Sequence, residues 1–158
     1  MICYGIDPGP TSSAIVGVDK SYAITLHDHL DNLEMEALLT DLGNPTDLLA
    51  IEWLQSYGMV VGQDIFLTCR AVGRFEKCWS FQGGIYLYAR PTIRSHILGG
   101  VVGKKRGAVR QALMLRFGGT KKGQPLHGIV RHQWDACAAS VYHLDGARLG
   151  AEDWARIG

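Results

Sequence analysis

GIDPG, residues 5–9, places an acid at the point where a first strand stops. The residues before it, 1–6, form a short apolar opening that predicts a strand. A carboxylate is costly to bury at the end of such a strand unless it is paired or binds a cation. Open α/β sheets have their sites at this edge. Because Pro8 and Gly9 stop the strand, we expect Asp7 to lie at the rim of a sheet.

A second acid ends a second strand. Leu48–Ile51 is a short, fully apolar run, as expected for a central strand buried on both faces, and it terminates in Glu52. Two more strands are predicted before it, at Ala14–Val18 and Tyr22–Leu26, separated by a turn at residues 19–20. Asp7 and Glu52 should therefore end neighbouring strands.

Helix signals follow these strands. Asp31 and Glu34 have the spacing of a capping box and predict a helix start. The remaining elements are a long helix at about 62–77, a strand at Ile85–Ala89, a short helix from Pro91, a helix carrying Val109, Leu113 and Phe117, and a last helix from about His132. The order βββαβαβα predicts an α/β fold, a mixed five-stranded sheet flanked by helices.

Length and composition limit the class of protein. The chain has 158 residues and is 47% hydrophobic, which predicts one domain, 1–158, with a real core. It contains no run of 18 apolar residues, so no membrane span is expected, and its start does not have the pattern of a signal peptide. The four cysteines are scattered without metal-ligand spacing. They predict buried thiols in a reducing, cytoplasmic compartment.

Charge is strongly segregated along the chain. The formal net charge is only +1, but residues 77–134 carry 11 basic side chains and no acidic one. Residues 1–76 carry a net charge of −8, and residues 135–158 a net charge of −2. The acid-free stretch predicts a surface that faces a polyanion. The alternative is a basic face that balances an acidic one within the fold.

A third group of ligands is expected from the start of the last helix. His132 and Asp135 are three residues apart and share a helix face. Metal-dependent phosphodiester chemistry uses hard oxygen ligands from a few rigid elements. We therefore predict that Asp7, Glu52, His132 and Asp135 form a metal-binding catalytic site. Taken singly, the acids could instead be a turn acid, a solvated strand-end glutamate and a helix-dipole acid.

Basic loops supply candidate DNA contacts. The leading phosphate contacts lie in a glycine-flanked loop, and the second set lies between two further glycines: Lys104, Lys105 and Arg106, then Lys121 and Lys122. Lys105 is also the candidate for stabilising charge on the phosphate during catalysis. Solvated loops are the alternative for both sets.

The motifs together resemble one family. Residues 5–9, the strand acid in Ala50-Ile51-Glu52, and His132-x-x-Asp135-Ala136 resemble the RuvC family of Holliday junction resolvases, which are ribonuclease H-like endonucleases. The resemblance covers roughly residues 1–145. The compact length resembles a bacteriophage version of the family. The resemblance therefore implies a protein that acts in the cytoplasm of a bacterial or phage-infected cell.

The resemblance implies a function and roles for the site residues. It implies a homodimer that cuts two opposed strands of a four-way or otherwise branched DNA with Mg²⁺, Mn²⁺ also supporting activity, and leaves ligatable nicks. Asp7, Glu52 and Asp135 take the places of the metal carboxylates. His132 falls where many relatives have a further aspartate and some have histidine.

One departure from the family concerns DNA stacking. Many relatives have a phenylalanine three residues after the strand glutamate, and Gln55 stands there in this chain. Tyr57, assigned here as a DNA contact, or Trp53 would take over the stacking role, since any aromatic face can stack on a base. Both could equally be core residues.

Three other functions stay open at this point. A nuclease of the same fold could act on structured RNA or RNA–DNA hybrids. A degenerate nuclease that has lost its activity could bind branched DNA without cutting it. A sugar-kinase-like or actin-like ATPase shares the Asp-x-Gly opening, but this chain is too short for its two lobes.

Overall fold

The computed structural model describes residues 1–54, 58, 62–79, 83–100 and 107–148. Within these ranges the chain forms five strands and five helices. The strands are β1 (Ile2–Asp7), β2 (Ser12–Asp19), β3 (Ile24–Asp31), β4 (Leu48–Trp53) and β5 (Ile85–Ala89). The helices are α1 (Asn32–Asp41), α2 (Gln63–Trp79), α3 (Arg90–Ile97), α4 (Ala108–Phe117) and α5 (Gln133–Arg148).

The five strands form one mixed sheet in the order β3-β2-β1-β4-β5. β1, β2 and β3 pair antiparallel, whereas β1, β4 and β5 run parallel to one another. β1 and β4 are therefore adjacent central strands whose carboxyl ends meet at the same edge. The predicted α/β class and the mixed five-stranded sheet are confirmed.

Alternation along the central strands separates two cores. Tyr4 and Ile6 of β1 face a core that includes α1 and α2, whereas Cys3 faces a second core that includes α3, α4 and α5. Since side chains alternate with a period of two, Asp7 points to the α5 side, as Cys3 does. Glu52 points to that side as well, because Ala50 of β4 belongs to the α5 core.

Helix α5 packs very closely on β1. A Cβ atom at Gly5 would overlap the carbonyl oxygen of Ala136 and the side chain of Ser140, so only glycine allows this approach. The Ser140 hydroxyl lies 3.0 Å from the carbonyl oxygens of Cys3 and Val16, within hydrogen-bond distance of both strands. The small residues in the first turns of α5, Ala136, Ala138 and Ala139, are all buried.

A buried acid anchors the other end of α5. The Arg116 guanidinium donates two hydrogen bonds of 2.6 Å to Asp145, and the Tyr22 hydroxyl and the His96 ring lie 2.6 and 2.7 Å from the same carboxylate. Burial alone would raise the pKa of Asp145, but hydrogen bonds from Arg116, Tyr22 and His96 lower it to about 2. This cluster ties α3, α4 and the β2–β3 turn to α5.

One strand prediction was wrong in its bounds. Tyr22, predicted to begin the third strand, has a φ of 64° and lies in a turn closed by hydrogen bonds to Asp19. The strand instead runs from Ile24 to Asp31. The polar run at residues 27–29 concealed its second half, because β3 is an edge strand whose side chains are largely exposed.

Other local predictions agree with the structure. The capping box of α1 is present, with Asp31 accepting from the backbone of Glu34 and the Glu34 side chain accepting from the backbone of Asp31. The other elements match within a few residues at their ends. Cys3 and Cys137 are buried free thiols, and Cys69 and Cys78 are half-buried. None of the helices in the described ranges has the length and hydropathy needed to cross a bilayer.

Gly5→Ala should destabilise the protein by about 3 kcal/mol, at the upper end of the usual cost of overpacking, because the added methyl group meets the backbone of α5. Gly73→Ala is the matched control, since Gly73 lies in α2 with no atom near its absent Cβ. It should stabilise the protein by about 0.5–1 kcal/mol through helix propensity. Urea unfolding checks both, and equal effects of the two substitutions would contradict the proposed close packing.

Candidate metal centre

Two acids lie side by side at the carboxyl edge of the sheet. Ile6 of β1 pairs with Ile51 of β4 in parallel register, and Asp7 and Glu52 are the next residues of the two strands. Both side chains are buried. β4 continues one residue past Glu52, to Trp53, so the acid stands at the penultimate position of its strand.

The start of α5 brings two more groups to this edge. The carbonyl of His132 accepts the first helical hydrogen bond, from the amide of Ala136, and the Gln133 side chain bonds back to the amide of Val130. This turn leaves the His132 ring free to reach the sheet, and its Nδ1 lies 2.9 Å from Asp7 Oδ2. Asp135 follows in the first turn of the helix.

Three of the four predicted ligands form a compact set. One ligand atom from each of Asp7, His132 and Asp135 lies within 4.8 Å of the other two. Glu52 is adjacent but outside this set. Arg90 bridges Glu52 and Asp135. The Arg90 Nε lies 3.0 Å from Glu52 Oε1, and its Nη2 lies 3.2 Å from Asp135 Oδ2.

The acids perturb one another. Burial and then the charge of Asp7 raise the pKa of Glu52 to about 8, while the Arg90 guanidinium opposes the shift. The pKa of Asp7 is also raised, by burial and then by Asp135, against the opposing effects of Arg90 and His132. Three carboxylates this close favour a bound cation, since a positive charge relieves both the burial and the mutual repulsion.

This donor set fits a divalent metal ion. Carboxylate oxygens suit Mg²⁺ and Mn²⁺, and an imidazole nitrogen widens the choice toward softer first-row metals. Asp7, Asp135 and His132 would hold the ion, with Glu52 available once its carboxylate is ionised. His132 is 63% exposed at its side chain, so the site is open to substrate on that side.

A cavity opens directly beside the acids. It measures about 610 Å³ and is lined by residues of α3, α4 and the start of α5: Arg94, Gly107, Val109, Arg110, Arg131, His132, Trp134 and Asp135. His132 and Asp135 thus belong to the compact set and to the cavity wall at once. A larger cavity of about 1020 Å³ lies elsewhere, along β3, and includes none of the predicted ligands.

The other predicted contacts lie away from the acids or outside the described residues. Lys121 and Lys122 are exposed in the connection between α4 and α5, and neither lines the cavity of about 610 Å³. Trp53 is half-buried and packs against the α1–α2 core, which favours the core interpretation for this residue. Tyr57, Gln55 and the loop residues Lys104, Lys105 and Arg106 lie outside the described residues.

Sequence reasoning missed the arginines around the acids. Arg90 was not identified, although it directly follows the predicted strand Ile85–Ala89. β5 runs parallel to β4 with Trp53 paired to Ala89, so a residue just after β5 reaches the same sheet edge as Glu52. That rule could have found Arg90. Arg94, Arg110 and Arg131 are distant along the chain, and no sequence spacing relates them to the site.

Comparisons with known proteins find similar structures but no similar sequences. No family model and no curated protein sequence matches the chain. A solved structure of Thermus thermophilus RuvC superposes with a TM-score of 0.72 at 17% identity, covering 95% of this chain and 97% of that one. This chain has the fold of RuvC. A structure of T. thermophilus RuvC in complex with Holliday junction substrate gives a TM-score of 0.68 at 18% identity, covering 95% and 96%. The predicted ribonuclease H-like fold is therefore confirmed.

The raised pKa of Glu52 makes stability depend on pH. Between the ordinary value of 4.5 and about 8, the folded chain holds a proton that the unfolded chain releases, so this group lowers stability as pH rises. Glu52→Gln removes the effect. In metal-free buffer its Tm should exceed the wild-type value by about 5 °C at pH 8 and match it near pH 4.5. Asp41→Asn, at the exposed end of α1, is the control. A Glu52→Gln difference that does not change with pH would contradict the shift.

Arg90 should matter most when no metal is bound. Arg90→Gln leaves Glu52 and Asp135 without their cation, and we expect a loss of about 1–2 kcal/mol in chelator-treated protein at pH 8. The value is moderate because the Arg90 side chain is 45% exposed. Saturating Mn²⁺ should shrink the loss, because the ion supplies the missing positive charge. Thermal unfolding with and without Mn²⁺ measures this, and an equal loss in both conditions would refute it.

Proposed function

We propose that this chain is a metal-dependent endonuclease that cuts branched DNA, with the four-way junction as its main substrate. The observation that carries the proposal is the set of Asp7, His132 and Asp135 beside an arginine-lined cavity, at the carboxyl edge of a RuvC-like sheet. A site with metal ligands and basic residues suits a phosphodiester substrate. The solved T. thermophilus RuvC bound to a Holliday junction adds support for the substrate class.

The four predicted ligands would together bind the metal ion. Asp7, Asp135 and His132 would hold a divalent ion, Mg²⁺ by proposal and Mn²⁺ as a substitute, with Glu52 completing the carboxylates. A bound ion would supply an activated water and would offset charge on the phosphate. Attack of a water oxygen on phosphorus breaks the P–O3′ bond and leaves a 5′-phosphate and a 3′-hydroxyl, which is a ligatable nick.

The exposed His132 ring is the best placed group for moving a proton. It contacts Asp7 on one side, and its ring lies 5.8 Å, centroid to centroid, from that of His29 on β3. An imidazole ring nitrogen can coordinate a metal ion or accept a proton from water. His132 would therefore act as a ligand or as a proton acceptor for the attacking water.

We further propose a homodimer, because paired nicks in opposed strands require two sites on one junction. Lys121 and Lys122 remain proposed DNA contacts, since they are exposed within the acid-free part of the chain. Lys104, Lys105, Arg106 and Tyr57 also remain proposals. Sedimentation of the protein with and without a synthetic junction tests the dimer.

Asp7→Asn should abolish cleavage of a synthetic four-way junction in Mg²⁺, with a loss of at least about 10³-fold, because a metal carboxylate is removed. Binding measured by fluorescence anisotropy should stay equal or become tighter, since one negative charge near the phosphate is lost. Asp41→Asn removes the same charge from the end of α1 and is the control. Comparable cutting by Asp7→Asn and wild type would remove the proposed role.

The same assay separates the alternative functions. Wild-type protein is offered a four-way junction, a linear duplex and an RNA–DNA hybrid under Mg²⁺ and under Mn²⁺. Faster cutting of the hybrid would indicate the ribonuclease alternative. Salt-sensitive junction binding without product under either metal would indicate a non-cleaving binding module.

A further inference from the structure

The cavity beside the acids has the chemistry of an anion site. We propose that Arg94, Arg110 and Arg131 bind the DNA phosphate next to the one being cut, so that this cavity holds the substrate strand in register. The inference rests on the proposed nuclease function and deepens it. At about 610 Å³ the cavity is within the range of roughly 300–1,000 Å³ that is usual for ligand sites.

Convergence of the three arginines is the first argument. Arg94 comes from α3, Arg110 from α4 and Arg131 from the turn before α5, and all three line one cavity. Neither Arg110 nor Arg131 forms an ion pair with any other residue that the structure describes. Like charges brought together from three elements repel unless an anion joins them, and guanidinium groups match phosphate oxygens in geometry.

Preorganisation is the second argument. The Arg110 guanidinium carbon lies 5.6 Å from the centroid of the Trp134 ring, and Trp134 is buried, so the arginine rests on a fixed aromatic surface. Arg131 has a φ of 47°, in the left-handed region that non-glycine residues rarely adopt. Such backbone strain is typical of positions that orient a functional side chain. Here it occurs at the residue directly before His132.

Continuity with the candidate metal site fixes which phosphate is bound. His132 and Asp135 line the cavity and also belong to the compact set with Asp7. A strand whose scissile phosphate lies at those ligands would continue directly past the three arginines. The arginines are therefore assigned to the neighbouring phosphate of the same strand rather than to a distant arm of the junction.

Salt dependence tests the number of phosphate contacts. Wild type, Arg110→Gln and Arg131→Gln are compared by anisotropy on a four-way junction in metal-free buffer from low to high NaCl. Each variant should bind roughly tenfold more weakly at ~0.1 M salt, and its slope of log K against log salt should fall by about 0.9 for each contact removed. Arg70→Gln on α2, which is exposed on the other face of the sheet, is the matched control and should keep the wild-type slope.

Single neutral phosphates identify the position. The position of the wild-type nick is first mapped with Mg²⁺. A series of junctions is then prepared, each with a methylphosphonate in place of one of the phosphates that flank the nick. Neutralising the adjacent phosphate should weaken wild-type binding by roughly tenfold. It should weaken binding of the double variant, Arg110→Gln with Arg131→Gln, much less, because only the Arg94 contact is left to lose. Equal additional losses in wild type and the double variant at every position would overturn the assignment.

The two proposals fail in different ways. If wild type binds junctions but makes no nick, the nuclease function fails, while the salt slopes still report on the arginine cavity. If Arg70→Gln weakens binding as much as Arg110→Gln, the contacts are diffuse and the cavity assignment fails. Arg110→Lys and Arg131→Lys should bind at intermediate strength, because they keep the charge and lose the planar fork. Unchanged thermal unfolding of each exposed variant excludes misfolding as the cause.

Discussion

The site depends on the contact between α5 and β1. Gly5 leaves room for the carbonyl of Ala136, and Ser140 hydrogen-bonds to strand carbonyls one turn further on. Because α5 packs directly on β1, the first turn of the helix lies beside the carboxyl end of that strand. Asp135 and His132 therefore meet Asp7, although 125 residues separate His132 from Asp7 along the chain. A larger residue at position 5 would separate the ligands.

Close packing brings an electrostatic cost that the surrounding cations offset. Burial, followed by the charges of the neighbouring carboxylates, disfavours ionisation at this edge and raises the pKa of Glu52 to about 8. Arg90 bridges Glu52 and Asp135 and keeps the metal-free arrangement together. The repulsion that destabilises the fold at this edge would also favour a bound cation, because an added positive charge relieves it.

The fold was largely predictable because its signals are local. Apolar runs that end in acids, a capping box and strand lengths follow from neighbouring residues, and β1, β4, α1 and α5 were all recognised from them. The bounds of β3 were wrong because the side chains of this edge strand are largely exposed. Such a strand can be polar throughout, so it lacks the alternation of apolar residues that marks a strand in the sequence. Within the candidate site, Asp7 and Glu52 were predictable from the ends of their strands, and Asp135 from the start of the last helix. Arg90 was missed although it directly follows β5, whose parallel pairing with β4 leads to the same sheet edge. Arg94, Arg110 and Arg131 were not predictable, because their convergence depends on helix placement, which no sequence spacing encodes.

The charge segregation of the sequence now has a structural meaning. A phosphodiester that approached Asp7, Glu52 and Asp135 alone would meet strong repulsion, which at short range in a poorly screened site is worth several kcal/mol. Arg90, Arg94, Arg110 and Arg131 all come from the acid-free residues 77–134, and all lie beside the carboxylates. An acid placed among them would pair with an arginine and withdraw it from the substrate. The absence of acids from this stretch thus keeps a positive rim around a negative centre, which is the arrangement that the proposed metal-dependent cleavage of DNA would require.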